Sequence, residues 1–224
     1  MQRIVARELM DEPGVDARDL AESFDDIERV NRLFGGTRPV LDAIFERPTT
    51  RVLDVGCGSA DIPRALLAEA RRRGRPLAIV GLDSSDVVLD IARERARRDV
   101  DLEFVRADGG ALPFADASFD VATCNLALHH FEPAAAVDLL RELRRVSRLT
   151  PVVCDLTRSP IAVLAARFFA RFIATSRLSK HDGPLSARRA YTPGEALDLA
   201  TRAGWRQPAV KRTPFFRMVL VDRG

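Results

Sequence analysis

Three histidines are the side chains of this 224-residue sequence that exchange protons most readily near neutral pH. His129 and His130 are adjacent, and His181 is followed by Asp182. An unperturbed imidazole titrates near about pH 6.5, so each ring is a candidate general base. A structural role stays open for all three. His129 and His130 would cap or pack against the next helix, and His181 would belong to an ordinary Asp-Gly turn.

A second set of residues is typical of a turn that binds a nucleotide. The apolar run from Val52 to Val55 is interrupted by Asp54 and followed at once by Gly56 and Gly58. This pattern predicts a buried strand that turns sharply into a helix. Glycines let a ligand approach the backbone closely, and the first N–H groups of a helix carry partial positive charge. We therefore expect a polar, nucleotide-like ligand at this turn.

The spacing of these residues favours an adenosine ligand without a pyrophosphate. In a dinucleotide-binding turn a third glycine would follow, but that position is Asp61, whose carboxylate would meet the pyrophosphate. The run from Leu77 to Asp83 predicts a second strand that ends in an acid. An acid at this spacing is suited to bind the two hydroxyls of a ribose.

Four ordered stretches carry a resemblance to a known family. They are VLDVGCGSAD in the glycine turn, GLDSS around Asp83, RADGGALPFADASFD from Arg106 to Asp120, and NLALHHF from Asn125 to Phe131. Together they resemble the class I S-adenosylmethionine-dependent methyltransferases, in the small-molecule branch that includes quinone methyltransferases. The resemblance covers about residues 50 to 147 well. One departure is Ala60, where the family usually has a third glycine.

The resemblance and the predicted elements together imply an α/β fold. We expect a Rossmann-like, seven-stranded, mostly parallel sheet with helices on both faces and an antiparallel last strand, all in one domain. Its parts would be an N-terminal helical lid over residues 1–48, a cofactor-binding core over 49–156, a helical cap insertion over 157–190, and a C-terminal helix with strands over 191–224. In the cap, Ser159 to Leu178 predicts one apolar helix, and Ser179 to Pro184 predicts a polar turn that carries His181. Thr192, Pro193 and Glu195 predict a helix start with a capping box.

The resemblance also implies S-adenosylmethionine as cofactor and assigns residues to it. The glycine turn would hold the methionine part, Asp83 the ribose, and Asp108 the adenine, while the end of the fourth strand would face the methyl group. Arg38, or Arg32 in its place, would bind the methionine carboxylate from the lid, although an ordinary surface arginine is an equal alternative. The full expected set is Asp54, Gly56, Cys57, Gly58, Asp83, Ser84, Ala107, Asp108, Gly109, Asn125, Leu126 and Arg38.

The expected reaction is O-methylation of a phenol, enol or hydroxyquinone of secondary or quinone metabolism. His130, His181 or His129 would accept the proton of the acceptor. If phenylalanines of the cap helix line the site, we expect the acceptor to be aromatic or hydrophobic. Asn125-Leu126-Ala127-Leu128 lacks the N/D-P-P-Y/F pattern of enzymes that methylate bases, which argues against a nucleic-acid substrate. No acids and histidines have metal-ligand spacing, so no metal is expected.

Composition bounds the remaining classes of function. The pI is about 9.1, but the net charge is only +3 and the arginine clusters fall on predicted helix surfaces, so a nucleic-acid partner is not expected. The sequence shows no signal peptide and no apolar run that would span a membrane, which predicts a cytoplasmic enzyme. Cys57, Cys124 and Cys154 are expected to be reduced and structural. An RNA or protein methyltransferase and a non-catalytic S-adenosylmethionine-binding protein stay open as alternatives.

Overall fold

The computed structural model, which describes residues 1–224, contains one seven-stranded sheet. Its spatial order is β3-β2-β1-β4-β5-β7-β6. The strands are β1 (Arg51–Val55), β2 (Ala78–Asp83), β3 (Leu102–Arg106), β4 (Phe119–Asn125), β5 (Ser147–Leu156), β6 (Pro208–Thr213) and β7 (Arg217–Asp222). The first five pair in parallel, whereas β7 is antiparallel to both β5 and β6. The expected mostly parallel sheet with an antiparallel last strand is confirmed.

Eight helices surround the sheet. They are α1 (Ala17–Leu33), α2 (Arg38–Phe45), α3 (Asp61–Arg72), α4 (Asp86–Arg95), α5 (Pro133–Val146), α6 (Pro160–Phe172), α7 (Arg177–Arg189) and α8 (Pro193–Arg202). None of these helices combines the length and the apolar character that a membrane crossing requires.

Alternating residues of the central strands supply the two halves of the core. Leu53 and Val55 of β1 pack in a cluster with apolar residues of α5 and α8. Val52 belongs to a second cluster, which contains apolar residues of α2, α3 and α4. Successive strand side chains point to opposite faces of a sheet, so β1 is fixed by helices on both sides. Rigid packing of β1 holds the glycine turn at its end in place.

The N-terminal segment lies across the carboxyl end of the sheet. Leu20 and Phe24 of α1 form a small apolar cluster with Val88 of α4 and Leu178 of α7. Arg95 ties α4 to α1 by donating to the carbonyl oxygen of Ala21 at 2.9 Å. This contact holds α1 against α4, and Leu20 and Phe24 of α1 line the cavity at the strand ends.

The start of α8 matches the sequence pattern. The hydroxyl of Thr192 accepts a hydrogen bond from the Glu195 N–H, and the Glu195 carboxylate accepts one from the Thr192 N–H at 2.7 Å. Two N–H groups of the first turn are thereby satisfied, which is typically worth about 1 kcal/mol of stability.

The cap insertion differs from the expectation. The single helix predicted for Ser159 to Leu178 is two helices, and the predicted polar turn lies inside α7. The break falls earlier because Asp26 of α1 accepts hydrogen bonds from the Thr175 and Ser176 N–H groups, each at 2.9 Å. Ser176 then caps α7 through the N–H of Leu178. Contacts with a distant helix, rather than local turn residues, therefore decide where the chain turns.

Candidate functional site

The carboxyl ends of β1 to β4 open into a cavity of about 1020 Å³. Its walls come from the glycine turn, the strand ends, α1, the first turns after β4, and the inner side of α6. Pockets for drug-sized ligands commonly enclose about 300 to 1,000 Å³, so this cavity is as large as the upper end of that range.

The glycine turn holds its backbone in a conformation that suits glycine. Gly56 has φ of +71° and Gly58 has φ of +52°. A Cβ at Gly56 would lie 2.8 Å from the Cβ of Ala127, and one at Gly58 would lie 3.2 Å from a ring carbon of Phe24. Ala60 has φ of +63°, so it adopts the left-handed conformation that a third glycine would tolerate better. The turn brings bare backbone to the edge of the cavity.

Asp83 joins the ends of β1 and β2. Its carboxylate accepts hydrogen bonds from the N–H of Gly58 at 3.2 Å and from the N–H of Ser85 at 3.1 Å. Burial raises the pKa of Asp83, and the backbone donors partly offset that increase. Asp83 and Ser84 both line the cavity. Each carboxylate oxygen has a further lone pair with which to accept a bond from a ligand.

Asp54 and Asn125 form a polar pair at the base of the cavity. The Asn125 amide donates to Asp54 Oδ1 at 2.8 Å, whereas Asn125 Oδ1 is buried and has no hydrogen-bond partner. Burial raises the pKa of Asp54 to about 8, the Asn125 bond lowers it, and the charges of Asp61 and Asp83 raise it further. A cationic group on a ligand would remove part of this penalty, so the three carboxyl groups favour a positively charged ligand.

The ends of β3 and β4 complete the wall. Ala107, Asp108 and Gly109 line the cavity, and Asp108 Oδ1 accepts a bond from the N–H of Gly110. Leu126 also lines the cavity and has φ of +53°, an uncommon conformation for a side chain of its size. Its N–H donates to the Cys154 carbonyl on β5, which supports the conformation. Strained backbone of this kind clusters at ligand sites.

Two adjacent histidines on one wall lie among three carboxylates. His129 is buried, with Nδ1 2.7 Å from Asp155 Oδ1, and His130 Nδ1 lies 2.8 Å from Asp11 Oδ2. The carboxylate of Glu8 stands opposite both Nε2 atoms, at 3.8 Å from His129 and 3.7 Å from His130. Glu8, Asp11 and both histidines line the cavity. A carboxylate on Nδ1 fixes the proton there and leaves Nε2 as the basic nitrogen.

The charged groups on this wall shift the pKa of the His130 imidazole. Burial disfavours its charged form, but the Asp11 hydrogen bond and the charges of Glu8 and Asp11 outweigh burial and raise the pKa of His130. For Asp155, burial is likewise outweighed by the neighbouring His129, and its pKa is lowered. His130 is thus a stronger base than a free imidazole, and Asp155 stays ionised beneath His129.

Two residues of the expected set lie elsewhere. The His181 side chain is 53% exposed on α7 and bonds to the adjacent Asp182, because the turn expected around it is helical. Arg38 is 62% exposed and pairs with Asp42 one helical turn away, at 2.8 Å. Neither residue lines the cavity, and Arg32 does not line it either. All other expected cofactor residues and the two adjacent histidines do line it.

The structure adds an arginine that the sequence did not suggest. Arg217 of β7 is buried, lines the cavity, and donates to Asn31 Oδ1 at 2.7 Å and to the Gly36 carbonyl at 3.1 Å. Asn31 in turn donates to Asp61 at 2.6 Å. Nothing local marks Arg217, since it reaches the cavity only through the antiparallel pairing of β7 with β5.

The structure also contains one group of potential metal ligands. Ligand atoms of Glu8, His129 and His130 lie within 4.8 Å of one another. Spacing along the sequence does not reveal this group, because Glu8 is distant from the two histidines along the chain. The buried guanidinium of Arg189 lies 3.6 Å from Glu8 Oε1 and places a positive charge beside the group. That charge opposes a metal cation and supports the expectation of metal-free chemistry.

Sheet order, the glycine turn and the acid at the end of β2 define the fold of the class I S-adenosylmethionine-dependent methyltransferases. Human N-acetylserotonin methyltransferase in complex with S-adenosylmethionine shares this fold, with a TM-score of 0.73 over 98% of this chain and 60% of that one, at 15% identity. Residues 52–149 match the family model of a methyltransferase domain.

Two relatives extend the comparison. A demethylmenaquinone methyltransferase from Beutenbergia cavernae is 33% identical over 167 residues, which cover 68% of this chain and 64% of that protein. A 2-phytyl-1,4-naphtoquinone methyltransferase from Synechococcus elongatus is 35% identical over 103 residues, which cover 45% of this chain and 42% of that protein. The chain therefore spans less than two thirds of either relative. It belongs to the class I S-adenosylmethionine-dependent methyltransferases, and S-adenosylmethionine is its cofactor.

The residues present fit this cofactor. S-adenosylmethionine carries a sulfonium and an ammonium group, which complement the carboxyl groups of Asp54, Asp61 and Asp83. Its methionine carboxylate complements a buried arginine. The partnerless Asn125 Oδ1 and the exposed backbone of the glycine turn offer further polar contacts.

Proposed function

We propose that the chain transfers the methyl group of S-adenosylmethionine to a hydroxylated naphthoquinone, or a related quinol, that carries an apolar tail. The observation that carries the proposal is the set of side chains in the cavity: Asp54, Asp61 and Asp83 lie at the strand ends, and two carboxylate-paired histidines line another wall. The names of the two relatives support a naphthoquinone acceptor. Phenylalanines at the mouth suit an apolar tail.

The cofactor would lie along the strand ends. Asp83 would bind the ribose hydroxyls, Asp108 the adenine amine, and Asp54 the ammonium group. Ser84 would support the ribose side, while Ala107 and Gly109 would flank the adenine. The turn of Gly56, Cys57 and Gly58 would enclose the methionine part, with Asn125 and Leu126 beside the methyl group. Arg217 would bind the methionine carboxylate in place of Arg38, because Arg217 is buried at the cavity and Arg38 is not.

His130 would activate the acceptor. Its Nε2 would take the proton of a ring hydroxyl, and Asp11 would stabilise the resulting imidazolium through Nδ1. His129 and Asp155 would hold the adjacent backbone, since Asp155 also accepts the His129 N–H at 2.8 Å. When held by the residues at the strand ends, the cofactor would supply an electrophilic methyl group and would accept the displaced electron pair on its sulfur. Alignment of the two molecules by the cavity would supply much of the rate.

The deprotonated quinol offers two nucleophilic atoms. The negative charge is shared between the ring oxygen and the neighbouring ring carbon. Attack through oxygen gives a methyl ether, whereas attack through carbon gives a methylated ring after that carbon loses its proton to solvent. O-methylation is the outcome expected from the sequence. Both outcomes start with the same proton transfer to His130, and NMR of the isolated product assigns the methylated atom.

The test is methyl transfer from labelled S-adenosylmethionine to short-tailed naphthoquinols by the purified protein. We expect His130→Ala to lower kcat by about 10² to 10⁴-fold, the range typical of a lost general base. His181→Ala is the matched control and should retain the wild-type rate, because His181 lies outside the cavity. Cofactor binding without transfer to any quinol would instead support a non-catalytic binding protein.

A further inference from the structure

An exposed apolar stripe runs along α6. Ile161, Leu164, Phe168 and Phe172 are 67%, 68%, 59% and 67% exposed, respectively. Their spacing of three or four residues places them on one face of the helix. The rings of Phe168 and Phe172 lie with their centroids 4.8 Å apart. Single exposed apolar residues are ordinary, but a contiguous stripe of four marks an interaction surface.

A second apolar edge lies across the cavity mouth. Phe215 and Phe216, in the turn between β6 and β7, are 53% and 37% exposed. Both have positive φ, of +59° and +58°, which is uncommon for aromatic residues. Phe34 packs on Phe215 with centroids 4.8 Å apart. Because Phe34, Phe168, Phe215 and Phe216 all line the cavity, the two edges border the same opening.

Basic residues without acidic partners flank this apolar rim. Arg167 and Arg171 on α6, and Lys211 and Arg212 on β6, are exposed and form no ion pair, although most other arginines of the chain do. No acid occurs between Asp155 and Asp182 or between Asp198 and Asp222. On α6 and the β6–β7 side, the opening is therefore bordered by apolar side chains and by positive charge that has no acidic partner.

We propose that this rim, formed by the exposed face of α6 and the β6–β7 turn, docks on the surface of an anionic lipid bilayer. Aromatic and aliphatic side chains insert at the boundary between headgroups and acyl chains, and flanking arginines bind anionic headgroups. A second copy of the chain fits less well, since a symmetric interface would bring the same arginines face to face. The chain would lie on the membrane rather than span it.

Docking would place the cavity mouth against the membrane surface. An acceptor with an apolar tail would then pass from the bilayer into the cavity without exposing the tail to water. This consequence rests on the proposed function, whereas the membrane binding itself does not.

Vesicle flotation tests the docking without cofactor or acceptor. The full chain is mixed with vesicles of phosphatidylcholine alone or of phosphatidylcholine with phosphatidylglycerol, and then centrifuged through a sucrose gradient. We expect flotation with the anionic vesicles. The double variants L164D/F172D and R167E/R171E should each weaken binding by about tenfold or more. V100D and R97E/R98E are the matched controls, because they change exposed residues away from the rim, and they should float like the wild type.

Further outcomes distinguish a bilayer from a second copy of the chain as the partner of the rim, and distinguish failure of the docking from failure of the proposed function. Flotation that both rim variants leave unchanged would overturn the docking, as would failure to float. A dimer in sedimentation velocity that L164D/F172D splits, without flotation, would assign the rim to a second copy. Methylation of a short-tailed soluble quinol without flotation would contradict the membrane-docking proposal and leave the proposed function standing. Flotation without methylation of any quinol would contradict the proposed function and leave the membrane-docking proposal standing. Circular dichroism and thermal melting check that each variant is folded.

Discussion

Replacing Asp83 by alanine should weaken cofactor binding by about 100-fold. In the structure the carboxylate uses one lone pair on each oxygen for the Gly58 and Ser85 N–H groups, which leaves two for the ribose hydroxyls. Hydrogen bonds to a charged group contribute about 1.5 to 3 kcal/mol each, so two lost bonds amount to about 3 kcal/mol at the lower limit. Each 1.4 kcal/mol corresponds to about tenfold in Kd.

The assay must separate lost ribose contacts from a loosened glycine turn. Isothermal titration calorimetry would measure S-adenosylhomocysteine and its 2′-deoxy analogue against the wild type and Asp83→Ala. If Asp83 binds the ribose, the wild type should discriminate against the deoxy analogue and the variant should not. Asp138→Ala, which removes an exposed acid on α5, is the control and should bind like the wild type. Equal discrimination by the wild type and Asp83→Ala would refute the assignment, even if overall affinity fell.

The remaining predictions concern pH, the turn and metals. Because burial raises the pKa of Asp54 to about 8, binding a cationic cofactor should release a proton, and Kd should rise by up to about tenfold per pH unit below 8. The same shift means that the ligand-free fold binds more protons than the unfolded chain between about pH 4 and 8, so its stability should fall as pH rises across that range. Catalysis needs neutral His130, so kcat/KM should increase with pH through its raised pKa, above about 6.5. Gly56→Ala should abolish cofactor binding, since its Cβ would meet Ala127 at 2.8 Å. Exhaustive chelation should leave the rate unchanged, because Arg189 supplies positive charge near Glu8.

Each of these predictions has a direct check. Calorimetry in buffers of different ionisation enthalpy counts the released proton, and Asp54→Asn should remove both the proton and the pH slope. Urea unfolding at several pH values tests the stability trend, which a flat profile would contradict. A pH–rate profile of the wild type tests His130; an unchanged rate below about pH 6 would exclude it as the base. Gly74→Ala is the control for Gly56, because it also has positive φ but nothing within 4 Å of its Cβ. Metal-dependent recovery after chelation would show that Glu8, His129 and His130 bind an ion.

Local patterns are sufficient for the elements that form the candidate cofactor site. The apolar run from Val52 to Val55, followed by Gly56 and Gly58, identifies a buried strand and its turn because both features depend on adjacent residues. The capping box of Thr192 and Glu195 is equally local. The strand ending at Asp83 was found for the same reason. Side chains that lie at the ends of parallel strands meet at one edge of the sheet, so their convergence also followed from the predicted order.

Long-range contacts explain what sequence patterns did not reveal. The boundary between α6 and α7 is fixed by Asp26, which lies on another helix. Glu8 and Asp11 reach the two histidines from the N-terminal segment, and no motif marks them. Arg217 replaces Arg38 as the arginine at the cavity because β7 pairs antiparallel with β5. In each case the partner is chosen by packing of distant segments rather than by neighbouring residues.

The most direct test of the central claim is the fate of the methyl group in an extract of the host. The purified chain would be incubated with the extract and S-adenosylmethionine labelled in its methyl group, followed by separation into solvent-extractable metabolites, RNA and protein. The proposed function predicts label in the organic phase, in a product with the chromatographic and mass-spectral properties of a methylated quinone, and its absence with His130→Ala. Label confined to RNA or protein would contradict the proposal and would indicate a macromolecular substrate.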